Sequence, residues 1–447
     1  MEKLLALHES INGLVWGTPM MVLLIGAGLV LTVVTRGVQF RRLPFAFREV
    51  FGKLFRKGTG EGTVTPFQAL ATALASTVGV GNIAGVSTAI FLGGPGSLFW
   101  LLVSGTVGMA TKYSEIAIAL HYREKDDQGI VRGGAMYVLS KGLGLRWLGA
   151  VFALLTASAA FGIGNMVQAN SVADAARTGF GIEPWVSGLA LCALTALVVL
   201  GGIRRIAEVT QFLVPFMCVI YVLGAVVILF RYIDQVPVVI ELVLSSAFQG
   251  QAAAGGFAGG TVAAAIRYGI ARGMFSNEAG LGSAPIVHSS AVTDHPVRQA
   301  SYGIAEVFVD TVVVCLLTGF IVLATGAWQS GADGASMAAK AFEIGLPGDW
   351  GGQIVSLGLI LFAFSTVIGW AYYGETGAAY LFGTAASMPY RLVWIIFVYL
   401  GATGSLQLVW SLADTLNGLM AIPNLIGVLG SLGIVRSLTK EFFARKR

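Results

Sequence analysis

Charge is what this chain of 447 residues has least of: Asp, Glu, Lys and Arg together make up 11% of it. An average soluble domain carries roughly 25%, so a water-soluble globular fold is excluded. Cysteine is scarce too. Cys192, Cys218 and Cys315 each lie within an apolar run, with no CxxC and no Cys/His spacing that would suggest zinc or haem. Four histidines, at 8, 121, 288 and 295, fall near segment ends. Neither HExxH nor GxSxG occurs, which removes the commonest hydrolase signatures, and no motif points to an organic cofactor. The N-terminus lacks the layout of a cleaved signal peptide, because its apolar run is too long and positive charge follows it. The net charge of +5 does not indicate nucleic acid. Almost all basic residues sit beside apolar segments, where anionic lipid and insertion rules account for them.

What the chain has instead is apolar length. Hydrophobic residues make up 56%, glycine reaches 60 residues, and mean hydropathy is +0.79. These values predict an all-α integral membrane protein with the lipid bilayer as its surroundings, and a single membrane domain over residues 1–447. Eleven spans are expected, at 13–35, 65–92, 95–120, 147–173, 184–202, 209–230, 238–272, 301–326, 350–382, 390–404 and 408–434. Every second loop is basic, beginning with Arg36 to Lys57. That alternation predicts an outside N-terminus and a cytoplasmic C-terminus in the cell membrane.

The stretch 65–92 is not an ordinary span. Its middle, Ser76-Thr77-Val78-Gly79-Val80-Gly81-Asn82-Ile83-Ala84-Gly85, carries three glycines, each costing roughly 1 kcal/mol of helix propensity. A close-packing seam would explain Gly81 and Gly85, four apart. It would not explain a Ser-Thr pair and an Asn around the same turn. Unwound backbone at membrane depth survives where it is buried or lines a wet cavity. Paired interrupted helices are how secondary transporters hold a substrate and its coupling cation.

Span seven, at 238–272, is too long for one crossing and contains a second glycine-rich run at 254–261. Two interrupted helices of opposite direction, five spans apart, predict an inverted five-plus-five repeat. The repeats would be 65–231 and 238–434, with 13–35 an additional helix ahead of them. On this register the run Phe275-Ser276-Asn277-Glu278-Ala279-Gly280-Leu281-Gly282 falls in a cytoplasmic loop. It reads as a structured inner loop, with substrate contact the lesser alternative. Neither glycine run contains an acid on this reading, which disfavours a permanently cationic substrate.

Ionisable residues within spans are costly and point to function. Glu306 and Asp310 lie four apart on one helix face; Lys112 and Glu115 share span three; Glu375 and Asp414 lie in spans nine and eleven. Each either belongs to a structural pair, for example with Lys112 or Arg267, or handles a cation or proton. Asn165 and Gln168 either bond across helices or line a cavity. Ser365 and Thr366 are adjacent hydroxyls that either bond back to their own helix or offer oxygens to sodium.

Several runs together resemble one family. They are Pro66 to Leu70, Thr77 to Gly85, Gly93-Gly94-Pro95-Gly96, Phe99-Trp100, Gly108 to Glu115, and Phe275 to Pro285. The chain is similar over nearly its full length to the alanine or glycine:cation symporter family. Leu101-Leu102 departs from the Met-Trp the family often has there. The resemblance implies sodium-coupled uptake of alanine or glycine, with a proton as the alternative coupling ion, on a leucine-transporter-like fold. By the same likeness the carbonyls of Ala75 and Val78 with Ser365 and Thr366 form one sodium site, and Thr77 and Asn82 serve a second. Gly79, Gly81, Gly256 and Gly259 hold the amino acid, Asn165, Gln168 and Thr366 stand beside it, and Trp370 and Phe257 cap it. Two other classes compete. A channel also uses broken helices but usually assembles from several short subunits. An enzyme lacks any nucleophile–base or metal constellation here.

Overall fold

The computed structural model describes residues 11–13, 15–54, 56–249, 261–348, 350–404 and 407–444. Helix dominates it, as it must where hydrocarbon offers the backbone no partners. Numbering the longer helices in chain order, α1 is Thr18–Val34 and α2 is Leu43–Gly52. α3, Pro66–Thr77, opens with a capping box: the Gln68 N–H donates to Thr65 Oγ1 at 3.2 Å, and the Thr65 N–H donates to Gln68 Oε1 at 3.0 Å. The helix ends at Thr77. After residues 78–80 the chain resumes as a π turn, Gly81–Gly85, and α4, Val86–Gly93, bent by 53° from α3.

α5 is Ser97–His121, followed by a short hairpin of β1 (Glu124–Lys125) and β2 (Val131–Arg132). α6 spans Arg146–Phe180 with a π segment, Ala160–Met166, at its centre. α7 is Pro184–Val199, α8 Gly202–Arg231, α9 Val236–Gln249 and α10 Val262–Asn277. α11 is only Ala284–His288, and α12 is Pro296–Ala324, with a π segment at Phe308–Cys315. α13, Gly334–Gly345, precedes α14, Gly351–Phe382; α15 is Ser387–Thr403, α16 Gln407–Gly430 and α17 Leu432–Ala444. Among the described residues, seven helices are long and apolar enough to cross a membrane, or eight with the bent α3–α4 pair counted as one.

Span seven differs from the sequence expectation. Residues 254–260 lie outside the described residues, and so do Gly256, Phe257 and Gly259. The interruption that the structure describes comes some twenty residues later. α10 stops at Asn277, Glu278, Gly280 and Gly282 all take positive φ (+55°, +95°, +78°), and helix resumes at Ala284. The stretch is not a surface loop: Ser276, Asn277 and Glu278 are buried.

This break runs antiparallel to the first. A Cβ added at Gly93 would meet Ala264 and Tyr268, one at Gly85 would meet Arg272, and one at Gly81 would meet Phe275. α10 therefore lies along α4. At the other end the chain entering α3 pairs with the chain leaving α11, Val64 bridging to Ala291 and Glu61 to Thr293. Arg267 and Arg272 accordingly ride on α10 beside α4.

Candidate functional site

A cavity of about 30 Å³ lies where the two interruptions meet. Of the residues proposed from sequence, Thr77, Gly79, Gly81, Gln168, Thr366 and Trp370 line it. Ser276, Glu278 and Phe275, from the run read as a cytoplasmic loop, line it as well, as does Asn417 of α16. Gly256 and Gly259, expected at this place, lie outside the described residues.

Close packing explains several residue choices. A Cβ at Gly79 would stand 2.7 Å from Thr366 Oγ1, so a larger residue would fill the cavity. Trp370 sits flat on α6 because position 164 is glycine, where a Cβ would come within 2.2 Å of the Trp370 Cβ. Its indole Nε1–H donates to Glu278 Oε1 at 3.0 Å. The other Glu278 oxygen accepts from the Ser283 hydroxyl. A carboxylate stands in this break, outside the two glycine runs, and both its oxygens are already engaged by the protein.

Two cavity-lining oxygens are not engaged. Gln168 Nε2 donates to the Ile163 carbonyl at 3.0 Å, leaving Oε1 buried without a donor among the described residues, and Asn417 Oδ1 is in the same condition. An unpaired buried acceptor costs roughly 1–3 kcal/mol, so either oxygen would gain from a donor that enters. Across the cavity, Gly79, Val80 and Gly81 present the start of the π turn, the end of a helix that favours negative charge.

Ala75, Ser365 and Thr366 come together as expected. Both hydroxyls lie 3.1 Å from the Ala75 carbonyl oxygen, and they lie 2.8 and 3.0 Å from the Phe362 carbonyl of their own helix. Donating to Phe362 frees their lone pairs to face Ala75 O, which gathers three hard oxygens around one point. Back-bonding and cation binding are therefore compatible. Val78 leaves helical geometry at ψ 91°, which releases its carbonyl from the α3 ladder.

Asn82 and Asn165 do not line the cavity. Asn82 Oδ1 accepts the Gly79 N–H at 2.9 Å, and its Nδ2 donates to Asp310 Oδ1 at 2.6 Å. Asp310 also accepts from Ser276 Oγ (3.1 Å to each oxygen) and from Thr311 Oγ1 (2.9 Å). One carboxylate thus ties the first break to the second. Asn165 Nδ2 donates to the Trp394 carbonyl at 2.8 Å, a link between α6 and α15.

Of the other ionisable residues, Lys112 pairs with Glu306 (3.2 Å), whose second oxygen meets His288 Nε2 at 2.8 Å. Glu375 is held by Arg391 (2.8 Å) and Arg132 (3.4 Å). Glu115 accepts the Gly280 N–H at 3.0 Å, and Asn424 donates both to Glu115 and to the Gly280 carbonyl (2.9 Å). Among the described residues no His, Cys, Asp and Glu group could hold a metal ion, so a bound cation would rest on carbonyl, hydroxyl and single carboxylate oxygens.

The whole chain, residues 1–447, matches the model of the sodium:alanine symporter family. The chain belongs to that family. It is therefore a multi-pass membrane transporter of the symporter class and not an enzyme. It is 49% identical over 445 residues to the sodium/alanine symporter AgcS of Methanococcus maripaludis, covering 98% of this chain and 97% of that one. It is 36% identical over 442 residues to GlnT of Bacillus subtilis, described as a "Probable sodium/glutamine symporter", covering 98% and 90%. Among solved structures, MhsT in complex with L-phenylalanine superposes with a TM-score of 0.55 at 14% identity, over 86% of this chain and 99% of that one. That likeness establishes the leucine-transporter-like fold and nothing about substrate.

Proposed function

We propose that the protein imports alanine or glycine together with sodium by alternating access. The carrying observation is the pair of undonated oxygens, Gln168 Oε1 and Asn417 Oδ1, in a cavity of about 30 Å³ opposite the Gly79–Gly81 backbone. The substrate ammonium donates to the two oxygens, and its carboxylate lies at the start of the π turn. With Thr366 and Trp370 as walls, the cavity suits a hydrogen or a methyl group better than the side chain of glutamine. One sodium ion sits among Ala75 O, Val78 O, Ser365 Oγ and Thr366 Oγ1. A second binds near Thr77 and the Asn82–Asp310–Ser276 junction.

Eleven spans follow from adding α5, α7 and the interrupted α10–α11 element to the eight that are long and apolar enough. α5 carries the buried Lys112 and Glu115, and α7 has 16 residues. Five spans in each repeat, an additional α1, an outside N-terminus and a cytoplasmic C-terminus complete the reading. A cysteine at Gly129 should then be labelled only from the cytoplasm and one at Gly334 only from outside.

The function is tested by uptake of radiolabelled alanine into proteoliposomes. Accumulation should require an inward sodium gradient, saturate, and be blocked by excess glycine. Uptake that follows a proton gradient without sodium, or that glutamine blocks as well as alanine does, would overturn it.

A further inference from the structure

A second cavity, of about 520 Å³, lies far from the interruptions in sequence and in place. It forms where α1 ends, the chain turns toward α2, and the C-terminal α17 packs alongside. Arg36, Arg41, Arg42, Arg436 and Lys440 line it, with no carboxylate among the lining residues. Several basic side chains elsewhere are matched by acids, as Arg132 is by Asp126 and Glu375, Arg298 by Asp294 and Glu49, and Arg391 by Glu375. Arg36, Arg41, Arg436 and Lys440 form no ion pair among the described residues. These four like charges around one space repel one another unless an anion occupies it.

The backbone and the walls are arranged to keep those charges together. Arg36, at φ +56°, and Gly37, at +66°, turn the chain sharply at the end of α1. The Arg42 guanidinium is held 3.9 Å over the Phe443 ring, which pins it to the cavity wall. The level of the cavity identifies the anion. It abuts Val34 and Thr35, the last turn of a helix long and apolar enough to span a bilayer. Val33 and Phe40, on either side of the turn, are 77% and 63% exposed, as expected of side chains that meet acyl chains. A basic cavity at the end of a spanning helix is suited to a lipid phosphate.

We propose that this cavity binds the phosphate of an anionic phospholipid headgroup, with the acyl chains running down past Val33. The site is distinct from the transport cavity and does not depend on which amino acid is carried.

The test uses the full chain in mild detergent with acyl-labelled phosphatidylglycerol as probe. Unlabelled phosphatidylglycerol should displace the probe, phosphatidylcholine should not, and added salt should weaken binding. Arg436→Gln with Lys440→Gln, both on the exposed side of α17, should weaken binding roughly 30-fold, and Arg41→Gln alone roughly fivefold, at about 1 kcal/mol per charge. Both variants should keep wild-type thermal unfolding, and the Arg41 variant leaves α17 intact if the double variant does not. Equal binding of phosphatidylcholine, or unchanged affinity in folded variants, would overturn the site. Displacement by inorganic phosphate or glycerophosphoglycerol as readily as by phosphatidylglycerol would overturn the assignment to lipid.

Discussion

The two interruptions meet at one cavity but hold themselves open differently. The first closes on itself through one reciprocal local pair. The Gly79 N–H donates to Asn82 Oδ1 at 2.9 Å, and the Asn82 N–H returns to the Gly79 carbonyl at 3.2 Å. The second leans on distant helices, Gly280 donating its N–H to Glu115 of α5 and accepting at its carbonyl from Asn424 of α16, 165 and 144 residues away. Asp310 joins the two, taking hydrogen bonds from Asn82 on one side and Ser276 on the other. A locally satisfied break can form before the bundle packs around it. One satisfied at long range exists only within the assembled bundle.

The joint should be the most sensitive point. Asp310→Ala leaves Asn82, Ser276 and Thr311 without their acceptor, at roughly 1–3 kcal/mol for each buried donor. We expect a lowered melting temperature in detergent and no alanine uptake. Asp310→Asn keeps one acceptor oxygen and should recover much of the stability. Wild-type melting of the alanine variant would mean that the breaks are not tied there.

Glycine substitutions separate the two breaks next. Gly282→Ala forces a side chain to φ +78° and brings its Cβ within 2.6 Å of Asn424 Oδ1. The left-handed conformation alone costs about 1–2 kcal/mol, so this variant should lose stability. Gly79→Ala meets no left-handed strain but enters the cavity. It should melt near the wild type while its half-saturating alanine concentration rises about tenfold, or 1.4 kcal/mol. The reverse pattern would exchange the roles of the breaks.

These contrasts explain what the sequence made legible. The first break and the Ser365–Thr366 pair could be read because their signals are contiguous: glycines beside Ser76, Thr77 and Asn82, and two hydroxyls in one apolar run. The pairing of Lys112 with a carboxylate was one of the stated alternatives. The break at 278–283 reads as a cytoplasmic loop in the sequence because the run at 254–261, which lies outside the described residues but for Thr261, has the denser glycine signal. Arg272 is half-buried, its guanidinium 5.8 Å from the Phe275 ring. The clue was Glu278, an acid between Asn277 and two glycines. Its partners Trp370 and Ser283 become neighbours only on folding, and the role of Asn417 was equally hidden. Asn82 was legible as part of the first break, but its bonds to the Gly79 N–H and to Asp310 appear only in the folded chain.

Smaller effects follow. Ser365→Ala with Thr366→Ala removes two hydroxyl ligands at about 1 kcal/mol each, so the sodium concentration for half-maximal uptake should rise roughly 30-fold. Unchanged sodium dependence would leave the hydroxyls to helix back-bonding alone. The smallest effect lies outside the spanning helices, at Glu49 of the short α2. Burial would raise its pKa, but hydrogen bonds and charge from Lys53 and Arg298 outweigh burial and hold it below its usual 4.5. A lowered carboxylate pKa gives stability that is present above the unfolded value and is lost as pH falls through the folded one. Glu49→Gln should therefore cost about 1 kcal/mol near neutral pH, and the difference from wild type should vanish on acidification below pH 4.5. A gap that persists in acid would assign the loss to packing.

The central claim is that the second wall of the transport cavity is the break at 278–283. Its most direct test is substrate protection of single cysteines, with Cys192, Cys218 and Cys315 replaced. Ser276→Cys is close to isosteric, lines the cavity, and should react with a small thiol reagent more slowly when sodium and alanine are both present. Protection should fail with sodium alone or with glutamine. If Ser276→Cys still transports alanine, yet labels at the same rate with and without it while Gly256→Cys is protected, the cavity lies at the earlier glycine run and this account of the site is wrong.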